Sequence, residues 1–181
     1  MALIAALSGM SLTGWSAAGF FKFGSAAVSS GAITVPVYDE LMIVARVVSL
    51  SAADIPALRF NADTGSNYRS RYIVQNATSG TTLTNVPTAS TSVANLSGVS
   101  DAGARAITAV ANNKTSLSKL GVVFGALGSG SASVQPKIDL AGHFEWVNTT
   151  AQMTSVELRS AGGSATFAID SSVLILGRNF S

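Results

Sequence analysis

Apolar and polar side chains alternate along much of this chain. In residues 137–147, KIDLAGHFEWV, the apolar side chains share one parity and the polar ones share the other: Ile138, Leu140, Phe144 and Trp146 against Lys137, Asp139, His143 and Glu145. A period of two is typical of a half-buried β-strand, whose second face meets water or a partner. The segment therefore predicts a strand with one face on the core.

Two further segments predict strands of different kinds. Residues 39–50, DELMIVARVVSL, are almost continuously apolar, which favours a central strand covered on both faces. In residues 154–160, Val156 and Leu158 alternate with charged neighbours. After the turn AGGS the chain ends in residues 165–177, ATFAIDSSVLILG, and we expect these last segments to form a hairpin region.

The remaining pattern predicts an all-β fold. No stretch of helical length combines a period of 3.6 with caps, while 105–112 (RAITAVAN) and 119–127 (KLGVVFGAL) resemble strands. About ten short strands indicate a jelly-roll-like antiparallel β-sandwich. We divide the chain into an N-terminal strand or arm, 1–24, and a sandwich domain, 25–181. Such an arm could add to the sheet edge of a neighbouring subunit.

Charge is scarce, and this narrows the class of protein. Charged residues make up 11% of the 181 residues and apolar residues 48%, against about 25% charged residues in ordinary soluble domains. Disorder needs the opposite composition. Residues 1–21 are uncharged, but Gly9, Gly14 and Gly19 interrupt them, so we expect no membrane insertion. The low charge is then best explained by a subunit whose surface is covered by its neighbours in an assembly.

Cysteine and the basic residues exclude further classes. The chain has no cysteine, so disulfides and thiolate metal sites are ruled out. The formal net charge is +2, and the basic residues are spread from Lys22 to Arg178. Nucleic-acid binding normally shows a clustered basic patch. We therefore expect no nucleic-acid partner.

Catalytic chemistry has little basis in the sequence. His143 shares a predicted strand face with Glu145 and Asp139, an arrangement that could orient an imidazole for acid–base work. An exposed polar face is the favoured interpretation. Neither G-x-S-x-G nor H-E-x-x-H occurs. We expect no catalytic residues, no cofactor and no enzymatic activity.

The densest polar stretch is LRFNADTGSNYRSRY, residues 58–72. Its oxygen-bearing and glycine positions alternate as the ligands of a calcium loop do: Asn61, Asp63, Gly65 and Asn67. Gly65 replaces a ligand, however, and the next acid is Asp101, so one carboxylate would hold the ion. A structural hairpin turn with positive φ at Gly65 is favoured over a metal site. The turn would bring Arg59, Arg69 and Arg71 close together.

The same residues resemble a group of tailed-bacteriophage virion proteins. In that group a Y-x-x-L strand leads to an R-F-N-x-D-x-G-x-N-Y hairpin, matched here by Tyr38 and Leu41 and then by Arg59, Phe60, Asn61, Asp63, Gly65, Asn67 and Tyr68. The closing pattern is matched in part: Met153, Val156, Asp170 and Ile175 replace its residues, and Gly177 completes it. The resemblance covers about half of the chain.

The resemblance implies a non-enzymatic structural protein of the virion, assembled in the bacterial cytoplasm. Within that class a capsid decoration or cement protein is preferred over a tail or fibre component, because the chain has no repeat or coiled coil. The expected partners are the major capsid protein or other virion subunits and further copies of the chain, as a dimer or trimer. The candidate interface residues are Arg59, Arg69, Arg71, Trp15, Phe20 and Phe21.

A carbohydrate-binding sandwich is the competing class, since jelly rolls also host glycan sites. Such a site usually needs exposed aromatic platforms, for which the sequence offers Trp15, Tyr68, Tyr72 and Trp146. Parity places the last three with core-facing residues. The shell role is therefore the leading hypothesis.

Overall fold

A computed structural model describes residues 14–76, 82–98, 100–128 and 137–180, with the backbone alone for 74–76, 82–90 and 137–140. These residues form twelve β-strands and no helix. The strands are β1 (Ser16–Lys22), β2 (Ile33–Thr34), β3 (Glu40–Val47), β4 (Pro56–Phe60), β5 (Tyr68–Asn76), β6 (Thr82–Thr91), β7 (Ala94–Asn95), β8 (Arg105–Asn112), β9 (Lys119–Leu127), β10 (Lys137–Trp146), β11 (Ser155–Ser160) and β12 (Ser172–Arg178). Within the described residues, no helix is long and apolar enough to cross a membrane.

The strands form two antiparallel sheets. The large sheet has eight strands in the order β1-β12-β3-β8-β9-β10-β5-β6, and the small sheet has four in the order β2-β11-β4-β7. Each sheet turns its apolar side chains toward the other, so the core lies between them. The predicted all-β, jelly-roll-like antiparallel sandwich is confirmed. The division into an arm and a domain stays a prediction.

Aromatic rings from both sheets meet in the core. Phe60 of the small sheet lies 5.6 Å from Phe144 and 5.7 Å from Trp146 of the large sheet, centroid to centroid. Tyr68 stacks on Trp146 at 6.3 Å. Such pairs contribute about 0.5–1.5 kcal/mol each beyond their buried area. The predicted inward parity of Phe144 and Trp146 on β10 is confirmed, because both are buried.

The predicted hairpin at residues 61–67 is wrong. β4 lies in the small sheet and β5 in the large sheet, so the segment carries the chain from one layer to the other. Both edges of β4 are already paired, with β11 and β7. The apolar residues of β4 and β5 do face one core, as expected, but from opposite sides of it.

The predicted hairpin near the C-terminus is also wrong. β11 pairs with β2 and β4, whereas β12 pairs with β1 and β3 in the other sheet. Between them, Phe167 is fully buried and forms bridges with Ala27 and Leu50. The segment therefore crosses between the layers instead of turning back within one.

Two strand predictions are corrected in part. β3 lies inside the large sheet as predicted, but it is not covered on both faces, since Met42 and Val44 are only half-buried and Arg46 is exposed. In the predicted arm, Ser16–Lys22 pairs with β12 of the same chain. The rest of the arm, residues 1–13, lies outside the described residues.

Candidate functional site

The face of the large sheet that points away from the small sheet is named the outer face. Strand register places Val122 beside Val110, and Val110 beside Met42. The next row runs from Phe124 through Thr108 and Val44 to the far edge. Together the apolar members form a continuous surface, the apolar band: Phe20, Met42, Val44, Val110, Leu120, Val122, Phe124 and Leu174.

The band is most exposed on β9. Leu120 and Phe124 are each 53% exposed and Val122 is 43% exposed. Three large apolar side chains in succession on an inner strand of a sheet normally face a core. Contiguous exposed apolar area of this kind marks an interaction surface.

Glycines lie on the core side of the sheet near this stripe. The core-facing positions of β9 include Gly121, and a Cβ there would overlap the ring of Phe144 on β10. A Cβ at Gly142 would likewise overlap the ring of Tyr72 on β5. The neighbouring rings fill the space above each glycine, so the core takes no side chain at these two positions. Val123 and Leu127, at other core-facing positions of β9, are buried. Leu120, Val122 and Phe124 have the opposite parity and lie on the outer face.

Lys119 fixes the start of β9. Its side chain is fully buried, and its Nζ donates hydrogen bonds to the carbonyls of Leu117 at 2.7 Å and Asn148 at 2.8 Å. Burial lowers the pKa of Lys119. The ammonium ties the loop before β9 to the loop after β10, which holds the exposed stripe in register.

Ion pairs surround the apolar band. Arg69 on β5 meets Glu145 on β10 at 3.4 Å, and Arg178 on β12 meets Glu40 on β3 at 2.5 Å. At the opposite end, Lys22 pairs with Asp170 at 2.7 Å. The Lys22 hydrogen bond and charge lower the pKa of Asp170. An apolar centre with a polar rim is the usual anatomy of a protein interface.

The polar stretch at residues 61–67 is a structural turn whose side chains are already used. Asp63 accepts hydrogen bonds from the Trp146 indole at 2.7 Å, the Gly65 N–H at 2.8 Å and the Asn67 amide at 3.0 Å. Burial alone would raise the pKa of Asp63, but the Trp146, Asn67 and Gly65 hydrogen bonds outweigh it and lower this pKa. No group of three or more potential metal-ligating His, Cys, Asp or Glu occurs in the described residues.

The conformation of the turn differs from the prediction. Positive φ occurs at Asn61, 51°, and Ala62, 54°, and not at Gly65. Asn61 tolerates it because its side chain accepts from the Thr154 N–H at 2.8 Å and donates to the Gln152 carbonyl at 2.7 Å. A Cβ at Gly65 would lie 2.7 Å from Nδ2 of Asn67. Glycine is needed there for space.

The three arginines of the stretch do not come together. Arg59 lies on the exterior of the small sheet, where it meets Glu157 at 3.6 Å, and Arg159 meets the same carboxylate at 3.5 Å. Arg69 and Arg71 lie on the outer face of the large sheet. The predicted single cluster is therefore wrong, because β4 and β5 belong to different layers.

The aromatic candidates also separate. Phe20 belongs to the apolar band, whereas Phe21 packs against the core, 5.0 Å from Phe23, because adjacent strand residues face opposite ways. Trp15 stacks on the Arg178 guanidinium at 4.5 Å, and Phe180 lies 4.9 Å from the same group. Trp15 thus ties the N-terminal strand to the end of the chain.

The carboxylate–histidine arrangement on β10 is incomplete. His143 is exposed, and Glu145 on the same face is bound by Arg69. A register shift between Asp139 and Ala141 interrupts the alternation that placed Asp139 with them. The Asp139 side chain lies outside the described residues. Within the described residues, the arrangement supplies no oriented base.

Sequence reasoning missed the stripe on β9. The segment KLGVVFGAL predicts a strand but not which of its faces is buried. The available signal was the pair of glycines at 121 and 125, which share the parity opposite to Leu120, Val122 and Phe124. Glycine on a core face is informative only when the ring that covers it is known, and here that ring lies on another strand.

Comparisons with known proteins give similarity of fold alone. No protein-family model matches the chain, and no curated protein matches it. Among solved structures, the galectin LEC-6 of Caenorhabditis elegans is 12% identical, covering 92% of this chain and 99% of its own, with a TM-score of 0.39. Scytalido-glutamic peptidase is 13% identical, covering 89% of this chain and 74% of its own, with a TM-score of 0.33. The PL-14 alginate lyase of Aplysia kurodai is 9% identical, covering 86% of this chain and 78% of its own, with a TM-score of 0.34. These values carry no argument about activity.

Proposed function

We propose that this chain is a non-enzymatic structural protein of a bacteriophage particle, a decoration or cement protein that binds the head through its outer face. The observation that carries the proposal is the apolar band and its rim of ion pairs. The sequence resemblance to virion proteins supplies the biological setting. Further copies of the chain, as a dimer or trimer, complete the proposed set of partners.

The geometry of the band supports docking on an extended surface. It crosses the large sheet from Phe124 on β9 to Phe20 on the edge strand β1. Its members come from five neighbouring strands of one sheet face, which suits another protein surface better than a small substrate. A standard interface buries about 800 Å² on each partner, and an eight-stranded sheet face offers that much area.

A glycan-binding role is less well supported. Of the four aromatic residues available for a sugar platform, Tyr68, Tyr72 and Trp146 are buried. Trp15 is engaged by Arg178. Phe20 and Phe124 on the outer face lie on β1 and β9, with three strands between them, so they do not make one stacking platform.

Binding to undecorated heads tests the proposal. The heads would be purified from a phage lacking the gene for this chain, and binding would be measured by co-sedimentation. Phe124→Ser and Val122→Ser should each weaken binding by about 2 kcal/mol, or about thirtyfold, as expected for anchors at the centre of an interface. Both residues are exposed, so the melting temperature should change little.

Val37→Ser is the matched control. Val37 is 54% exposed but lies in the connection between β2 and β3, outside the outer face. Its substitution should leave binding unchanged. Failure of the wild-type protein to bind heads, or equal losses in all three variants, would contradict the proposed role. Retention on immobilised glycans without head binding would favour the sugar-binding class instead.

A further inference from the structure

A cleft adjoins the apolar band at one end of the outer face. Its volume is about 470 Å³, and it lies where β3 and β9 end and β8 begins. Small residues of adjacent strands form its floor, chiefly Ala106 and Ala126, which are paired in the sheet. Arg46, paired with Ala106 on the next strand, forms a wall. Val48 and Leu127 add apolar surface.

The charges around the outer face are unequal. Each described carboxylate of the rim already has a cation: Glu145 has Arg69, Glu40 has Arg178, and Asp170 has Lys22. Arg46 and Arg71 are exposed and form no ion pair within the described residues. Lys22 is the group that binds the Asp170 carboxylate directly and lowers its pKa, and the charge of Arg46 only contributes to that lowering. Among the described side chains, the charge left over on this face is therefore positive.

We infer that the cleft receives a carboxylate-bearing apolar segment of the shell partner, with the carboxylate paired to Arg46. This inference rests on the proposed function and adds the chemistry of the partner surface. The alanine floor accepts an aliphatic or aromatic stem, and the guanidinium offers paired donors that match a carboxylate. Arg71 at the opposite side of the band attracts a second acidic group.

A second copy of the chain fits this face less well. Its described unpaired rim charges are the same two cations, so a copy placed face to face brings no described free carboxylate to Arg46 or Arg71. An acidic partner gains from both. Complementary charge of this kind raises association rates and makes binding sensitive to salt.

The test uses heads that lack this protein and compares three variants with the wild type. Arg46→Gln removes the exposed cation of the cleft and leaves the buried Arg105 in place, and Ala106→Phe fills the cleft without a change of charge. Ser164→Glu is the control, since it changes net charge by the same one unit as Arg46→Gln, at an exposed loop residue after β11. We expect Arg46→Gln and Ala106→Phe each to bind about tenfold more weakly, and Ser164→Glu to bind as the wild type does.

The salt series separates cation from cleft. Arg46→Gln should show a shallower loss of binding with added salt, whereas Ala106→Phe should keep the wild-type slope. Ala126→Leu provides a second filled cleft, and melting curves check that each variant is folded. If both cleft-filling variants, or Arg46→Gln, bind heads as tightly as the wild type does, this inference is overturned and the shell role stays intact. Absence of wild-type binding would remove the shell role itself. Displacement of the bound protein from heads by nucleic acid, instead of by soluble head subunits, would also overturn the inference about an acidic protein partner.

Discussion

At the scale of single residues, the carboxylate of Asp63 is held by three donors. It joins the turn between the two sheets to the indole of Trp146, which lies in the aromatic core. A calcium ligand and a turn carboxylate look alike in sequence, because both appear as alternating Asn, Asp and Gly. They differ in whether the oxygens are free, and here three donors occupy them.

Asp63→Asn should destabilise the fold by about 1–3 kcal/mol at pH 7, because the buried indole and turn donors lose a charged acceptor. The loss should depend on pH. The folded pKa of Asp63 is lowered from its ordinary 3.8, so its stabilisation is complete above the unfolded pKa and disappears as pH falls through the folded value. Urea unfolding of both proteins from pH 7 to pH 2 measures this.

Thr64→Ala is the control for that experiment, since Thr64 is exposed in the same turn. Its stability should follow the wild type at every pH. The stability difference between wild type and Asp63→Asn should shrink below about pH 4. A difference that stays constant into acid would show that the carboxylate charge is not what the turn uses.

At the scale of strands, the local sequence pattern predicted well which segments form strands, but it predicted poorly which strands pair with each other. The strands at 105–112, 119–127 and 155–160 were all expected, because each can be recognised from its own residues. Both predicted hairpins failed, because a hairpin and a crossover between layers have the same local pattern of strand, turn and strand. Which edge is free depends on distant strands such as β2 and β7, and no local pattern records that.

The candidate site shows the same limit. Phe20 and Arg71 were predicted as interface residues from their type and lie on the outer face, while Arg59 and Phe21 lie elsewhere. Their sidedness follows from the sheet to which each strand belongs. The core side of Gly121 on β9 is filled by the Phe144 ring of β10, a relation between strands that the sequence of one strand does not contain.

Gly121→Ala tests that relation between strands. The new Cβ would overlap the Phe144 ring, and overpacking of a core typically costs about 1–3 kcal/mol. Gly24→Ala is the matched control, because nothing lies within 4 Å of a Cβ there and its φ is not positive. Its effect should be neutral or slightly stabilising. Equal stability of the two variants in denaturant unfolding would show that the ring does not cover Gly121.

At the scale of the whole molecule, low charge and an exposed band are linked. Charged residues are 11% of the chain, and on the outer face most of those described neutralise one another in pairs. Rings of β5 and β10 fill the core above Gly121 and Gly142, while Leu120, Val122 and Phe124 of β9 face outward. Both features reduce the solubility of a lone subunit and favour its assembly.

The sign of the salt effect distinguishes the two kinds of assembly that this surface could support. Contact between two copies brings Arg46 and Arg71 of each near the cations of the other, so screening should favour it, and apolar burial is strengthened by salts such as sulfate. Docking on an acidic shell should weaken as the Debye length falls from about 8 Å at 0.15 M to about 3 Å at 1 M.

We therefore expect sedimentation of the isolated protein to show self-association that rises with sodium sulfate, and Phe124→Ser to abolish the rise. Head binding should fall over the same range of ionic strength. Self-association that weakens with salt would mean that copies meet through paired charges, and the band would not be their contact.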